Sequence, residues 1–275
     1  MALPTLTQAR APLTREVEVV NEKGDKSSMH IPAERDLTVY VDKRELVTLM
    51  TLGAHPELLV LGFLLNQRLV DSAAQIESIT VDWEVNSAAI KTHSGIDQIE
   101  ARTAKKVVTT GCGQGSVFGG LMDEIETIQL PKAQLAQTQL NGITEAIRQQ
   151  ESTYKSAGSV HGCALFKGTQ MLVFVEDVGR HNAIDTIAGW MAMQGISTTH
   201  APIETEPYVF YTTGRLTSEM VIKSAQMGIA IVVSRSGITQ MGYDIAQQLG
   251  LCAIGRAVNK HFVGYTSLQR LILGS

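Results

Sequence analysis

The stretch MLVFVEDVGRHNAIDTIAGW, Met171 to Trp190, decides how the carboxyl half of the chain is read. Its first five residues form an apolar run of strand length, and Glu176 to Arg180 supply a turn with one glycine. Ile184, Ile187, Ala188 and Met191 then recur at helical spacing. The same order of run, turn and helix returns downstream. YVFYT (208–212), IAIVV (229–233) and LCAI (251–254) are further apolar runs. Between and after them lie helical patterns carrying Leu216, Met220 and Met227, then Ile238, Met241, Ile245 and Leu249. Strands buried on both faces and alternating with helices predict a largely parallel sheet with right-handed crossovers. The expected fold of the carboxyl domain, residues 126–275, is therefore α/β.

Outward from this half, residues 15–110 carry short alternating runs, REVEVV, LTVYV, LVTLM, IESITVDWEV and SAAIKTH, separated by polar turns such as EKGDKSS and SGID. One helix interrupts them: HPELLVLGFLLNQRLV places Leu58, Leu61, Leu65 and Leu69 on one face. This predicts a smaller α+β amino-terminal lobe, residues 1–125. Lys132 to Ser156, rich in Gln, Ala, Glu and Lys, reads as one or two surface helices.

Composition narrows the partners. With 275 residues, 44% of them hydrophobic, the chain can fill a sizeable core. A formal net charge of −4 argues against coating nucleic acid or an acidic membrane, so any anion site has to be local. LLVLGFLL (58–65) is too short to span a bilayer, and the first twenty residues lack the apolar core of a signal peptide, so the expected location is the cytoplasm.

The local concentration of charge lies at the predicted strand ends, the edge of an α/β sheet where ligands bind. Glu176-Asp177-Val178-Gly179-Arg180-His181 follows the first run and Thr213-Gly214-Arg215 the second. Ser234-Arg235-Ser236-Gly237 follows the third, and Gly255 with Arg256, Ala257, Val258, Asn259, Lys260 and His261 the fourth. Glycine lets backbone N–H groups approach an anion, a following helix points its positive end there, and Arg binds phosphate bidentately. A polyphosphate ligand is the natural inference. Arg180 and Arg215 have a plainer reading as solvated first-turn residues, although a cation at a helix N-terminus opposes the macrodipole and so points to a bound anion. His181 and Asp185, four apart, have the spacing to orient an imidazole for acid/base work or simply to bond locally. Glu219 and Lys223 read as a structural ion pair, and His161 as a strand-start histidine or a functional one.

Three cysteines cannot all pair. Cys163 in VHGCALF and Cys252 in LGLCAIG read as buried core thiols, whereas Cys112 sits in TTGCGQGS among glycines. No cysteine spacing calls for a structural metal. Exchange at sulfur needs an accessible thiolate, and a rim of arginines would lower the thiol's pKa.

FVEDVGRHNAIDTIAGW, TTGRLTSEMVIKSAQMGIAIVVSRSGITQM and IGRAVNKHFVGYT, in that order, resemble the formate dehydrogenase accessory sulfurtransferase family, FdhD. GAHPELLVLGFLLNQRLV and SAGSVHGCAL resemble it upstream, so that the similarity runs from about residue 37 to 266. The resemblance implies a cytidine-deaminase-like α/β/α carboxyl domain and a homodimer. It implies a carrier that takes a persulfide sulfur from a cysteine desulfurase and passes it to the bis-pyranopterin guanine dinucleotide cofactor of molybdenum or tungsten, for formate dehydrogenase. By position, the sulfur-bearing cysteine falls on Cys112 and a cofactor-binding segment on Arg256 to His261. Many members have a second cysteine where this chain has Gly115, which leaves a one-cysteine route; Arg256 stands where an aromatic residue is usual, and Val258 where a basic one is common. Zinc deaminases need HxE and PCxxC at two helix starts, and GRHNAID and GRLTSEM carry neither, which argues against hydrolytic deamination.

Two other functions fit parts of the sequence. A cofactor-binding chaperone that never carries covalent sulfur would explain Gly115. A phosphosugar-binding protein would explain VVSRSGITQMGYDIAQQLG, but leaves EDVGRHN and the Cys112 segment without a role.

Overall fold

Period-two burial builds the amino-terminal lobe. The computed structural model describes residues 2–97, 107–108, 115–116, 125–196 and 206–274. Strands β1 (Thr5–Leu6), β2 (Thr14–Val20), β3 (Lys26–Pro32), β4 (Arg35–Val41), β5 (Arg44–Thr51), β6 (Ile76–Asp82) and β7 (Ser87–Thr92) surround one helix, α1 (Pro56–Asn66). Five of them form a sheet in the order β1-β6-β7-β4-β5, and β2 and β3 pair separately as a ribbon that leaves Val20 and Met29 exposed. Along β4, Leu37, Val39 and Val41 turn inward and the intervening residues outward. They pack with Ile79, Ile90, Leu59, Phe63 and Leu64 into one core.

Helix α1 is apolar around most of its circumference and is accordingly buried on nearly every side. The expected helix to Val70 stops at Asn66, because Arg68 takes a left-handed backbone (φ 56°) that ends the helical hydrogen bonding.

Beyond β8 (Val107–Val108), β9 (Gly115–Ser116) and β10 (Leu135–Ala136), helices α2 (Gln137–Gln149) and α3 (Thr153–Ala157) fill the region read as surface helices. Then follow β11 (His161–Lys167), β12 (Gln170–Asp177), α4 (Arg180–Met193), β13 (Tyr208–Thr212), α5 (Ser218–Gln226), β14 (Ile231–Ser234), α6 (Gln240–Leu249), β15 (Cys252–Val258), β16 (His261–Gly264) and β17 (Leu271–Ile272). The carboxyl sheet runs β12-β11-β13-β14-β15-β16. Only β13, β14 and β15 are mutually parallel neighbours, so the sheet is mixed rather than largely parallel. The reason lies in two hairpins. A tight turn through Gly168 (φ 58°) returns β12 antiparallel beside β11, which then separates it from β13, and β15 turns directly into β16. Among the described residues no α-helix follows the fourth run.

Both faces of this sheet are covered. Cys163, Leu165, Phe210, Val232 and Ala253 face α4 and α5 through Ile184, Ile187, Met220 and Ile222, while Ala164, Phe166, Val209, Ile231 and Cys252 face Leu140 and Ile143 of α2. The result is a three-layer arrangement whose strand ends at Asp177, Thr212, Ser234 and Val258 lie along one edge.

Candidate functional site

The edge is assembled by the hydroxyls that end its strands. Thr212 Oγ1 accepts from Gly214 N at 3.1 Å, and Thr213 Oγ1 accepts from Gly162 N at 3.1 Å. Ser234 Oγ donates to Gly214 O at 2.6 Å and accepts from Ser236 N at 2.9 Å, while Arg256 N donates to Ser236 O at 2.7 Å. Each loop is thus tied to the next, and the arginines that follow these hydroxyls inherit fixed backbones. Ser234 itself is fully buried beneath the rim, with its hydroxyl engaged internally.

Asp177 performs the same task between the lobes. Its carboxylate accepts from Gly179 N and Asn182 Nδ2 on the α4 side, and from Thr51 Oγ1 and Leu52 N of the amino lobe. Burial raises its pKa above the usual carboxylate value despite these four donors. Asn182 adds a second tie, donating to Met50 O.

The structure divides the predicted residues into two groups. Arg235, Ala257, Val258 and Asn259 bound a cavity of about 250 Å³ together with Phe174, Tyr211, Thr213 and Lys155. Arg256, within an irregularity of β15, and Asn259, in the turn after it, both take left-handed backbones (φ 51° and 56°), a conformation uncommon outside glycine. Lys260 and His261 are exposed at the hairpin turn. Arg180, His181 and Arg215 do not line this cavity. Among the described residues, none of Arg215, Arg235 and Arg256 pairs with a carboxylate, so their charge is available to an anion. A larger cavity of about 430 Å³, between the ends of α1 and α4, collects none of the predicted residues.

His181 does not pair with Asp185. Its Nε2 lies 3.2 Å from Glu219 Oε2 on α5, without hydrogen-bond geometry. Burial, with Lys223 and Arg180 nearby, lowers its pKa to about 2, so the imidazole is neutral and the approach is not an ion pair. Asp185 instead accepts from Asn66 Nδ2 at 2.7 Å and from Lys223 Nζ at 2.8 Å, and Lys223 also lies 3.4 Å from Glu219 Oε1. Burial opposes the charge of Lys223, but Asp185 and Glu219 outweigh it and raise its pKa. The network Asn66–Asp185–Lys223–Glu219 was not predicted, apart from the Glu219–Lys223 pair. The one signal was a set of charged residues set among the apolar residues of two helices.

The three thiols separate as expected for two of them. Burial pushes Cys163 up to about 12, against its hydrogen bond to Thr212, and pushes Cys252 up to about 11. Cys112 lies outside the described residues. The residues that bracket its segment are paired antiparallel, Val107 with Ser116 and Val108 with Gly115.

Comparison with known proteins agrees with this architecture. Residues 32–272 match the model of the FdhD/NarQ family. A Geobacillus kaustophilus protein named sulfur carrier protein FdhD is 27% identical over 263 residues, covering 92% of each chain. A Bacillus subtilis protein of the same name is 28% identical over 257 residues, covering 91% of this chain and 94% of its own. In three dimensions the chain is similar to a crystal structure from Desulfotalea psychrophila, provisionally described as a formate dehydrogenase accessory protein. The TM-score is 0.74 at 22% identity, over 95% of this chain and all of the other.

Proposed function

The chain belongs to the FdhD/NarQ family, and on that premise we propose that it is a sulfur carrier in formate dehydrogenase maturation. Cys112 is the carrier. The observation that bears most weight is the state of its two companions: Cys163 and Cys252, at about 12 and about 11, hold almost no thiolate at neutral pH, and they are shut inside the core.

In the loading step the Cys112 thiolate attacks the outer sulfur of a persulfide on a cysteine desulfurase. A new S–S bond forms on Cys112 as the donor S–S bond breaks, and the donor cysteine leaves as thiolate, so no oxidant or reductant is consumed. In delivery the S–S bond on Cys112 breaks, Cys112 leaves as thiolate, and the outer sulfur passes to the bis-pyranopterin guanine dinucleotide cofactor of molybdenum or tungsten, which is the substrate and whose metal gives up two electrons as it takes the sulfur as sulfide. The unpaired Arg235 and Arg256, with Lys260 and His261 beside them, supply charge for its pyrophosphates, and Phe174 and Tyr211 supply flat walls in the adjoining cavity. The chain works as a homodimer in the cytoplasm; no helix among the described residues is long and apolar enough to cross a membrane.

Incubation with a cysteine desulfurase and L-cysteine, followed by mass spectrometry of the peptide that contains Cys112, tests the reading. One added sulfur atom on that peptide, lost in Cys112→Ala, is the expected result. Gly115 in place of a second cysteine favours the alternative of a non-covalent cofactor chaperone, for which a Cys112→Ser strain would still mature formate dehydrogenase.

A further inference from the structure

Residues 6–13 form a strap across the start of α1, and a cavity of about 520 Å³ lies between the two. The strap is fixed at both ends. Thr7 Oγ1 accepts from Val81 N at 2.9 Å, Leu13 O accepts from Ala33 N at 2.9 Å, and Pro12 O accepts from Arg35 Nη2 at 2.6 Å. The ionisable side chains on the cavity wall are Arg10, His55 and Glu57. Glu57 is only 4% exposed, and both of its hydrogen bonds reach one oxygen: Oε1 accepts from Thr7 Oγ1 at 2.7 Å and from Ala9 N at 2.6 Å. Among the described residues Oε2 has no such partner, and it is not one of the polar atoms sealed in the interior, so it is open to the cavity. Arg10 is exposed and has no carboxylate partner among the described residues. His55 stands at the N-cap of α1 without capping it, and desolvation, against the pull of Glu57, lowers its pKa and keeps the ring neutral. The wall thus offers one positive and one negative group.

We infer that this cavity binds a free α-amino acid with an apolar side chain, its ammonium on Glu57 Oε2 and its carboxylate on Arg10. A bare cation placed there meets the field of Arg10 and a bare anion that of Glu57, whereas a zwitterion is favoured by both. The cationic end must carry N–H bonds, because a carboxylate oxygen can only accept. Leu6, Leu13 and Leu58 give the side chain an apolar wall, and the volume falls within the range of about 300–1,000 Å³ usual for small-molecule sites.

The site lies outside the sulfur-carrier reading and stands without it. It nevertheless adjoins the joint between the lobes. Ala54 and His55 on its wall follow, after Gly53, the residues Thr51 and Leu52 that bond Asp177. An occupant therefore packs against the segment that ties the amino lobe to the sheet edge.

The test is isothermal titration calorimetry of the full chain with L-leucine and with two analogues, isoamylamine, which lacks the carboxylate, and isocaproate, which lacks the ammonium. L-leucine is expected to bind, and each analogue to bind at least about tenfold more weakly. Glu57→Gln keeps Oε1 as the acceptor for Thr7 and Ala9 and turns an amide N–H to the cavity, so it should weaken L-leucine about tenfold and leave isocaproate unweakened. Arg10→Gln, at an exposed position whose change leaves folding intact, should weaken L-leucine about tenfold and leave isoamylamine unweakened. Absence of L-leucine binding at millimolar concentration overturns the inference, as does binding that both variants leave unchanged or that either analogue matches. The calorimetry reads the same whether or not Cys112 accepts sulfur, so failure here and failure of the carrier reading are distinguishable.

Discussion

Gly62 of α1 and Gly189 of α4 meet backbone to backbone. A Cβ on Gly62 would fall 1.6 Å from the carbonyl oxygen of Asp185, and one on Gly189 would fall 2.0 Å from that of Leu58. The two lobes are therefore joined by a helix crossing that tolerates no side chain at its centre. Gly62→Ala would force the helices apart and cost about 3 kcal/mol or more of unfolding free energy, read from urea denaturation. A change within about 0.5 kcal/mol would show that the crossing is loose.

Lys223 lies against two buried carboxylates at once, Asp185 at 2.8 Å and Glu219 at 3.4 Å. Lys223→Met leaves Asp185 and Glu219 uncompensated and is expected to cost about 3–5 kcal/mol. Adding Asp185→Asn to that variant should restore part of the loss, since the second change removes the orphaned charge. Strict additivity of the two changes would rule out the pairing.

His181 makes stability depend on pH in one direction. Its folded pKa is about 2 against an ordinary value of 6.5, so between these limits the unfolded chain binds a proton that the folded chain does not. Its contribution is complete above the ordinary value and is lost as pH falls toward the folded one, at up to about 1.4 kcal/mol per pH unit. His181→Gln should flatten the profile of unfolding free energy between about pH 6 and pH 4. An unchanged slope would place the titration elsewhere.

Alkylation should separate the thiols. Iodoacetamide at about pH 8 is expected to modify Cys112 in the native protein, and all three cysteines only in denaturant. Native modification of Cys163 or Cys252 would contradict their burial.

Arg235 and Arg256 are expected to serve the acceptor and not the donor. Arg235→Ala or Arg256→Ala should weaken GDP binding by about tenfold and reduce its salt dependence, while sulfur loading on Cys112 stays unchanged. Equal loss of both steps would point to a general structural role.

Much of this was visible before folding. The runs at 171–175, 208–212 and 229–233 and the helices after them were legible because apolar spacing is a local property, and the strand-end arginines because glycine and guanidinium sit next to them in sequence. The antiparallel place of β11 was not, since VHGCALF reads as a buried strand whichever neighbour it pairs with. Nor were the surroundings of His181. Helical spacing offered Asp185, but that carboxylate is taken by Asn66 and Lys223, and the neighbouring helix sets Glu219 Oε2 3.2 Å from the ring without a hydrogen bond.

The order of residues alone therefore determined the element types, the concentration of positive charge at the strand ends, and the singling out of Cys112. Tertiary structure decided the rest. It put the charged residues into two groups on the sheet edge, joined Asn66 to Asp185 across 119 positions and Lys223 to Asp185 across 38, and set two glycines in contact between lobes. The physical reason is range. Propensity and periodicity act over a few residues, whereas a buried charge takes whichever partner packing brings within hydrogen-bond reach, and that distance exists only once the chain has folded.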